Sequence, residues 1–112
     1  MGWRATQARH RANRHKHTLD RLRERYDPTA DFGDVLRLWR KTRLLISEGA
    51  GRPYGHLDGL HVIVDDERLG SVRLVYVRRH DALATALPPW PAQPIEAQIA
   101  RLQSAPLAME MV

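Results

Sequence analysis

Apolar positions along the chain change their period, and each change marks a change of element. Leu19, Leu22 and Tyr26 recur at i, i+3, i+7, which is one helical stripe. Asp20, Arg21, Glu24 and Arg25 fall off that stripe, and Thr18 just before it is the expected N-cap. Asp27-Pro28 ends the helix, because the residue before a proline avoids the α region. A second helix follows, capped by Asp31 or Asp34, with Val35, Leu38, Trp39, Thr42, Leu45 and Ile46 on one face. Arg37, Arg40, Lys41 and Arg43 crowd its other side, and Gly49 is the expected C′ residue.

Beyond Gly49 the helical period is lost. Gly51–Gly59, with Pro53, Tyr54, Gly55 and His56, reads as a loop, and Leu60–Val64 is β-rich. Asp65–Gly70 reads as a solvated polar turn. Ser71–Val77 then alternates, with Val72, Leu74 and Tyr76 on one face and Arg73, Val75 and Val77 on the other. Arg78–Asp81 is a second turn and Leu83–Leu87 a third strand. Short connections imply antiparallel neighbours, a meander. Pro88-Pro89-Trp90-Pro91 stops the sheet, since prolines cannot serve a ladder. Ile95, Ile99 and Leu102 mark a short amphipathic helix over Pro94–Gln103, followed by a loose tail. The expected fold class is α+β: two N-terminal helices packed on a three- to four-stranded antiparallel meander, with a short C-terminal helix. Residues 1–16 form an arm, 17–90 the domain, and 91–112 the terminal helix and tail.

Charge refines this division. The chain has 112 residues and a formal net charge of +5. Arg4, Arg9, Arg11, Arg14 and Lys16 fall within the first sixteen residues, where there is no acid, so the arm carries the whole excess. The arm has no clear apolar period and is expected to be either disordered or a frayed helical extension. Arginine greatly outnumbers lysine, which suits phosphate recognition and is also what a GC-rich genome produces. The absence of cysteine excludes a disulfide scaffold, a thiol nucleophile and thiolate zinc sites. No apolar run reaches the roughly 18 residues of a membrane span, and the basic start does not lead into a signal sequence. The expectation is a soluble cytoplasmic protein with no membrane association.

Candidate chemistry is polar and metal-free. His10, His15 and His17 are close in sequence, but the last two do not share a helix face and no carboxylate accompanies them. Asp65-Asp66-Glu67 lacks the interleaved spacing of a calcium loop. Histidine, arginine, tyrosine and threonine suffice for RNA cleavage by 2′-OH attack, which needs a base, an acid and cations on the phosphorus oxygens. His17 opens the first expected helix, and Arg21 and Arg25 share a face by i,i+4 spacing. Arg73 and Tyr76 lie on the middle strand, Arg78, Arg79 and His80 follow it, and Thr85 sits in the last strand. The bland alternative is that Arg21 and Arg25 pair with Asp20 and Glu24 on a wet helix face.

The stretch His17–Arg25, the strand Val72–Val77 and the ending Ala84-Thr85-Ala86-Leu87-Pro88 resemble RelE-like domains of the barnase–EndoU–colicin–RelE ribonuclease superfamily. The resemblance covers about residues 17–88. It implies a metal-independent endoribonuclease of toxin or phage-accessory type, with no cofactor. In that reading His17 is the general acid or base, Arg21 or Arg25 holds the scissile phosphate, and Thr85 donates a hydrogen bond to it. RNA is the implied partner, with a cognate antitoxin or another protein beside it. Two readings stay open beside it. One is a non-catalytic nucleic-acid-binding module that uses Arg4, Arg9, Arg11, Arg14 and Lys16, with Arg73, Arg78 and Arg79 on the domain. The other is a protein-interaction module, such as a phage-encoded inhibitor or an assembly subunit. There Trp90 and the terminal helix form an apolar contact that can support a homodimer.

Overall fold

The computed structural model describes residues 3–55 and 58–89, with side chains from residue 5 onward. The expected terminal helix, with Trp90, Ile95, Ile99 and Leu102, lies outside the described residues. Two helices come first, α1 (Trp3–Arg25) and α2 (Phe32–Ser47). Four strands follow: β1 (Arg52–Tyr54), β2 (Gly59–Asp66), β3 (Gly70–Val77) and β4 (Ala82–Leu87). A single 3-10 turn, Arg78–His80, joins the last two. All neighbours are antiparallel and the sheet order is β1-β2-β3-β4, an α+β meander.

Several expectations change. Thr18 is not a cap: α1 runs unbroken from Trp3, so the basic segment from that residue on is helix. Residues 3–17 contain neither glycine nor proline and are rich in arginine and alanine, which favour helix. Thr18 is fully buried mid-helix, its hydroxyl 3.0 Å from the carbonyl oxygens of both Arg14 and Leu83. The segment expected as a loop also contains β1, three residues pairing with Gly59–His61. Such a short strand has no readable period, and Pro53 is tolerated because β1 is an edge.

β2 also runs through Asp65 and Asp66, the first two residues of the expected turn, whereas both ends of α2 fall where the sequence chemistry puts them. α2 opens on a capping box, in which Asp31 accepts from the Asp34 N–H and Asp34 accepts from the Asp31 N–H. Gly49 at φ +95° ends it, a conformation that costs glycine little. Leu19 and Leu22 of α1, Val35 and Leu38 of α2, and Val64, Val72, Leu74, Tyr76, Leu83 and Ala86 of the sheet form one core. Leu83 and Ala86 are an odd number of residues apart, yet both face this core. A bulge at Ala84, where the β3–β4 register shifts between Val75 and Tyr76, makes that possible.

Asp66 corrects the reading of a solvated turn. Its carboxylate is buried at the end of β2 and accepts both Nε (2.8 Å) and Nη2 (3.0 Å) of Arg37. It also accepts Lys41 Nζ at 3.1 Å and the backbone N–H groups of Arg68 and Leu69. Buried Asp34 joins the network through Arg37 and Arg68. The arginine hydrogen bonds hold both carboxyls well below their ordinary value, Arg37 acting first on Asp66 and Arg68 first on Asp34. Their contribution is therefore complete above about pH 4 and is lost as the pH falls below that. Asp66→Asn leaves Arg37 and Lys41 facing an uncharged group and is expected to destabilise the fold by about 3 kcal/mol, read from urea unfolding at neutral pH. Loss at pH 7 within a few tenths of a kcal/mol would show that the network is not structural.

Candidate nucleic-acid interface

The order of the sheet leaves β4 as an edge strand, and α1 lies along it. An uncovered edge presents unpaired N–H and C=O groups. Here side chains of the helix take them. His15 Nε2 accepts from the Leu83 N–H at 3.1 Å, and Thr18 donates to the Leu83 carbonyl. Arg25 Nη1 donates to the Ala86 carbonyl at 2.7 Å. The Tyr26 hydroxyl donates to the Leu87 carbonyl at 2.6 Å and accepts from the Arg73 N–H at 3.0 Å, so it is inserted between the ends of β3 and β4. Towards the other end, Gln7 Nε2 donates to the Arg79 carbonyl and Arg11 Nε to the Asp81 carbonyl. The partners advance in the same order along both segments, from Gln7 and Arg79 to Tyr26 and Leu87, so α1 and β4 run in the same direction.

This seam fixes where the basic residues go. Arg11 and Arg14 are brought against the 3-10 turn that carries Arg78 and Arg79. Arg14 Nε donates to His80 Nδ1 at 2.7 Å, and the His10 and His80 rings stack at 4.4 Å. Arg9, Lys16, Arg78 and Arg79 are exposed. Arg4 lies in α1, with its side chain outside the description. The acids at this end are Asp58, which accepts from the Arg79 N–H, and Asp81. Asp81 takes a left-handed φ of +47°, unusual outside glycine. It is held there from four directions. Tyr76 donates to its carboxylate at 2.6 Å, Arg43 lies 3.3 Å from it, and Trp39 Nε1 and Arg11 Nε donate to its carbonyl. Burial first, then the Asp81 hydrogen bond, pushes the Tyr76 phenol up to about 12. The Arg11 and Arg43 guanidinium groups each lie about 5 Å from the Trp39 ring centroid.

The sheet face turned away from the helices adjoins this basic end. Strand alternation puts Tyr54, His61, Arg73, Val75, Val77 and Thr85 there. A pocket of about 200 Å³ opens between Arg14, Tyr54, Gly59, Val75, Val77 and Ala84. Arg52, His61, Val75 and Thr85 form one row across all four strands. The Tyr54 and His61 rings are 6.1 Å apart. Burial, then Arg73 and Arg52, lowers the His61 pKa, so its imidazole is neutral at pH 7. Its Nε2 is buried without a hydrogen-bond partner among the described residues.

The expected site residues therefore divide. Arg11, Arg14, Arg78 and Arg79 come together. Thr85 and Arg73 share the face turned away from α1 and α2, with Arg73 Nη1 donating to the Pro88 carbonyl. His17 is exposed on α1, and no hydrogen bond or ion pair joins it to Thr85. Arg21 pairs with Glu24 at 2.7 Å, and Arg25 is engaged with the β4 edge. His61 and Tyr54 are the residues that sequence reasoning missed. The alternation of Leu60, Val62 and Val64 against His61, Ile63 and Asp65 carried the signal for His61. Among the described residues no three histidine or carboxylate side chains gather as metal ligands, and no helix is long and apolar enough to cross a membrane. Family models, curated proteins and solved structures return no match to this chain.

His15 gives this seam a pH dependence. Because Nε2 accepts the Leu83 N–H, the neutral ring carries its proton on Nδ1. Burial, then the Arg11 charge, lowers its pKa from 6.5 to about 4, with Asp81 opposing. The unfolded chain takes up a proton in that window and the folded chain does not, so stability falls as pH drops from 6.5 towards 4. The expected loss is on the order of 3 kcal/mol. Comparing chemical denaturation of the wild type and His15→Gln at pH 7 and pH 4.5 checks this: the variant should lose much less of its stability between the two. Equal losses would remove His15 as the cause.

Proposed function

We propose that this protein binds single-stranded RNA at the end of the domain formed by α1 and the Arg78–His80 turn. The observation that carries this reading is the convergence of Arg11, Arg14, Arg78 and Arg79 beside a pocket walled by Tyr54. Arginine forks suit phosphate oxygens. An exposed tyrosine beside a small apolar pocket suits an unstacked base. The opposite end of the molecule is unsuited to a polyanion, since Asp34, Asp66 and Glu67 occupy Arg37, Lys41 and Arg68. Binding should weaken with salt, and each lost phosphate contact should reduce the slope of log affinity against log salt by about 0.7 on a single strand. Arg78→Ala/Arg79→Ala removes two exposed cations and is expected to lower the slope by about 1.4, measured by fluorescence anisotropy with a labelled oligoribonucleotide. An unchanged slope and affinity would refute the assignment of this surface.

A second reading, metal-independent cleavage by 2′-OH attack, is favoured by the row His61–Val75–Thr85. A neutral imidazole is fit to accept the 2′-OH proton as that oxygen bonds to phosphorus, the P–O5′ bond breaks with water protonating the leaving 5′-oxygen, and Arg73 and Thr85 on the same face are fit to hold phosphate oxygens. This reading moves the base from His17 to His61. It expects RNA cleavage in EDTA that His61→Ala abolishes and His17→Ala leaves intact. Loss of cleavage in His17→Ala alone would favour the site read from the sequence instead.

A further inference from the structure

The sheet has a second edge, and β1 covers only part of it. β2 is eight residues long, whereas β1 pairs with Gly59, Leu60 and His61 alone. Which backbone groups remain open follows from strand parity, because the N–H and C=O of one residue point to the same side and the sides alternate. The Arg73 N–H meets Tyr26 on the β4 side. Val72, Leu74 and Tyr76 therefore face β2, and their partners Val64, Val62 and Leu60 face β3. Gly59, His61, Ile63 and Asp65 face outward. The first two meet Tyr54 and Arg52 of β1, and Pro53, which has no N–H, stands opposite Leu60 where none is needed. Ile63 and Asp65 are left with both backbone groups directed outward, without partners among the described residues.

Apolar surface surrounds these groups. Ile63 is 46% and Leu44 59% exposed, large values for such residues. A groove of about 270 Å³ runs beside the edge, lined by Lys41, Leu44, Leu45, Ile63, Val64 and Asp65.

We propose that this edge pairs with the same edge of a second copy of the chain, antiparallel about a two-fold axis at Val64. The pattern is self-complementary. Centring on Val64 sets Ile63 opposite the partner's Asp65 and Asp65 opposite the partner's Ile63. Both are hydrogen-bonding pairs, so four intermolecular bonds satisfy every open group of Ile63 and Asp65 on both copies. No other antiparallel register does this: a shift by one residue aims the open groups at residues whose own groups face β3, and a shift by two sets Asp65 opposite His61, which β1 already holds, or Ile63 opposite Glu67 beyond the strand. The offset also keeps the two Asp65 carboxylates from standing directly opposite each other. The partner's chain turns away at Glu67, just where β1 begins, which brings that acid towards Arg52. Leu44 and Leu45 of each copy meet across the axis. The joined sheet runs β4-β3-β2-β2-β3-β4 with β1 flanking the paired segment on each copy, and α1 with its basic residues lies at both outer ends, away from the pairing edge.

The chain has no cysteine, which makes the register directly testable. Paired strands bring hydrogen-bonded Cα atoms to about 5.5 Å, within disulfide reach. Mixing Ile63→Cys with Asp65→Cys protein under mild oxidation should yield a disulfide-linked dimer, and either protein alone should yield none above background. Light scattering over a concentration series should show the wild type approaching twice the monomer mass. Ile63→Asp sets like charges opposite each other and should weaken association about tenfold. Ile63→Asp/Asp65→Lys should restore it, because aspartate then faces the partner's lysine. Circular dichroism and unfolding midpoints confirm that each variant is folded before it is scored. A wild type that stays monomeric across the series, cross-linking of Ile63→Cys with itself, or failure of the charge swap to rescue would each overturn the proposal.

Discussion

The covering of the β4 edge by α1 is the constraint on which the rest of the molecule depends. A four-stranded meander has two edges and one face to protect, and this chain protects one edge with side chains instead of another strand. The bonds are individually modest, about 1 kcal/mol each when made. A buried N–H or carbonyl left without one costs more, about 1–3 kcal/mol. His15, Thr18, Arg25 and Tyr26 thus act chiefly by preventing orphaned groups at Leu83, Ala86 and Leu87. Leu22, between them on the helix, supplies the apolar anchor to the core.

The same seam decides where charge can act. A basic segment with no fixed position would give the molecule a diffuse attraction for polyanions. Gln7 and Arg11 fasten it to the 3-10 turn, so its arginines acquire positions relative to Arg78, Arg79 and the Tyr54 pocket. Some of this basic charge is structural. Arg11 and Arg43 flank Trp39 and serve Asp81, whose left-handed backbone needs that support, and Arg25 caps a strand. The exposed cations Arg9, Lys16 and Arg78 are the ones free to meet a ligand without disturbing the fold, while exposed Arg79 also lies 3.8 Å from the Asp58 carboxylate.

Most of the fold was legible because each boundary carries its own local chemistry. Asp27-Pro28, the Asp31/Asp34 cap, Gly49 and the alternation in Ser71–Val77 each act within a few residues, and all of them stand. What was not legible is tertiary. Thr18 reads as a cap because threonine usually competes with helix. Here its hydroxyl finds Leu83, sixty-five residues away, and the helix continues through it. Asp66 reads as wet because acids in turns usually are, and only the position of α2 supplies Arg37 and Lys41. Thr85 was singled out as a partner of His17 across the helix–sheet junction, whereas strand parity puts it on the sheet face turned away from α1 and α2. Its row-mate is His61 of β2, because register, not proximity in sequence to a helix start, sets which residues share a row.

The Leu83 amide tests the edge closure most directly, since His15 is its acceptor and no strand lies beyond it among the described residues. Hydrogen exchange followed by NMR at neutral pH should show Leu83 as protected as the core amides of β3, exchanging only when the whole domain unfolds. Exchange of Leu83 at the rate of an exposed edge amide, while β3 stays protected, would contradict closure of this edge by α1.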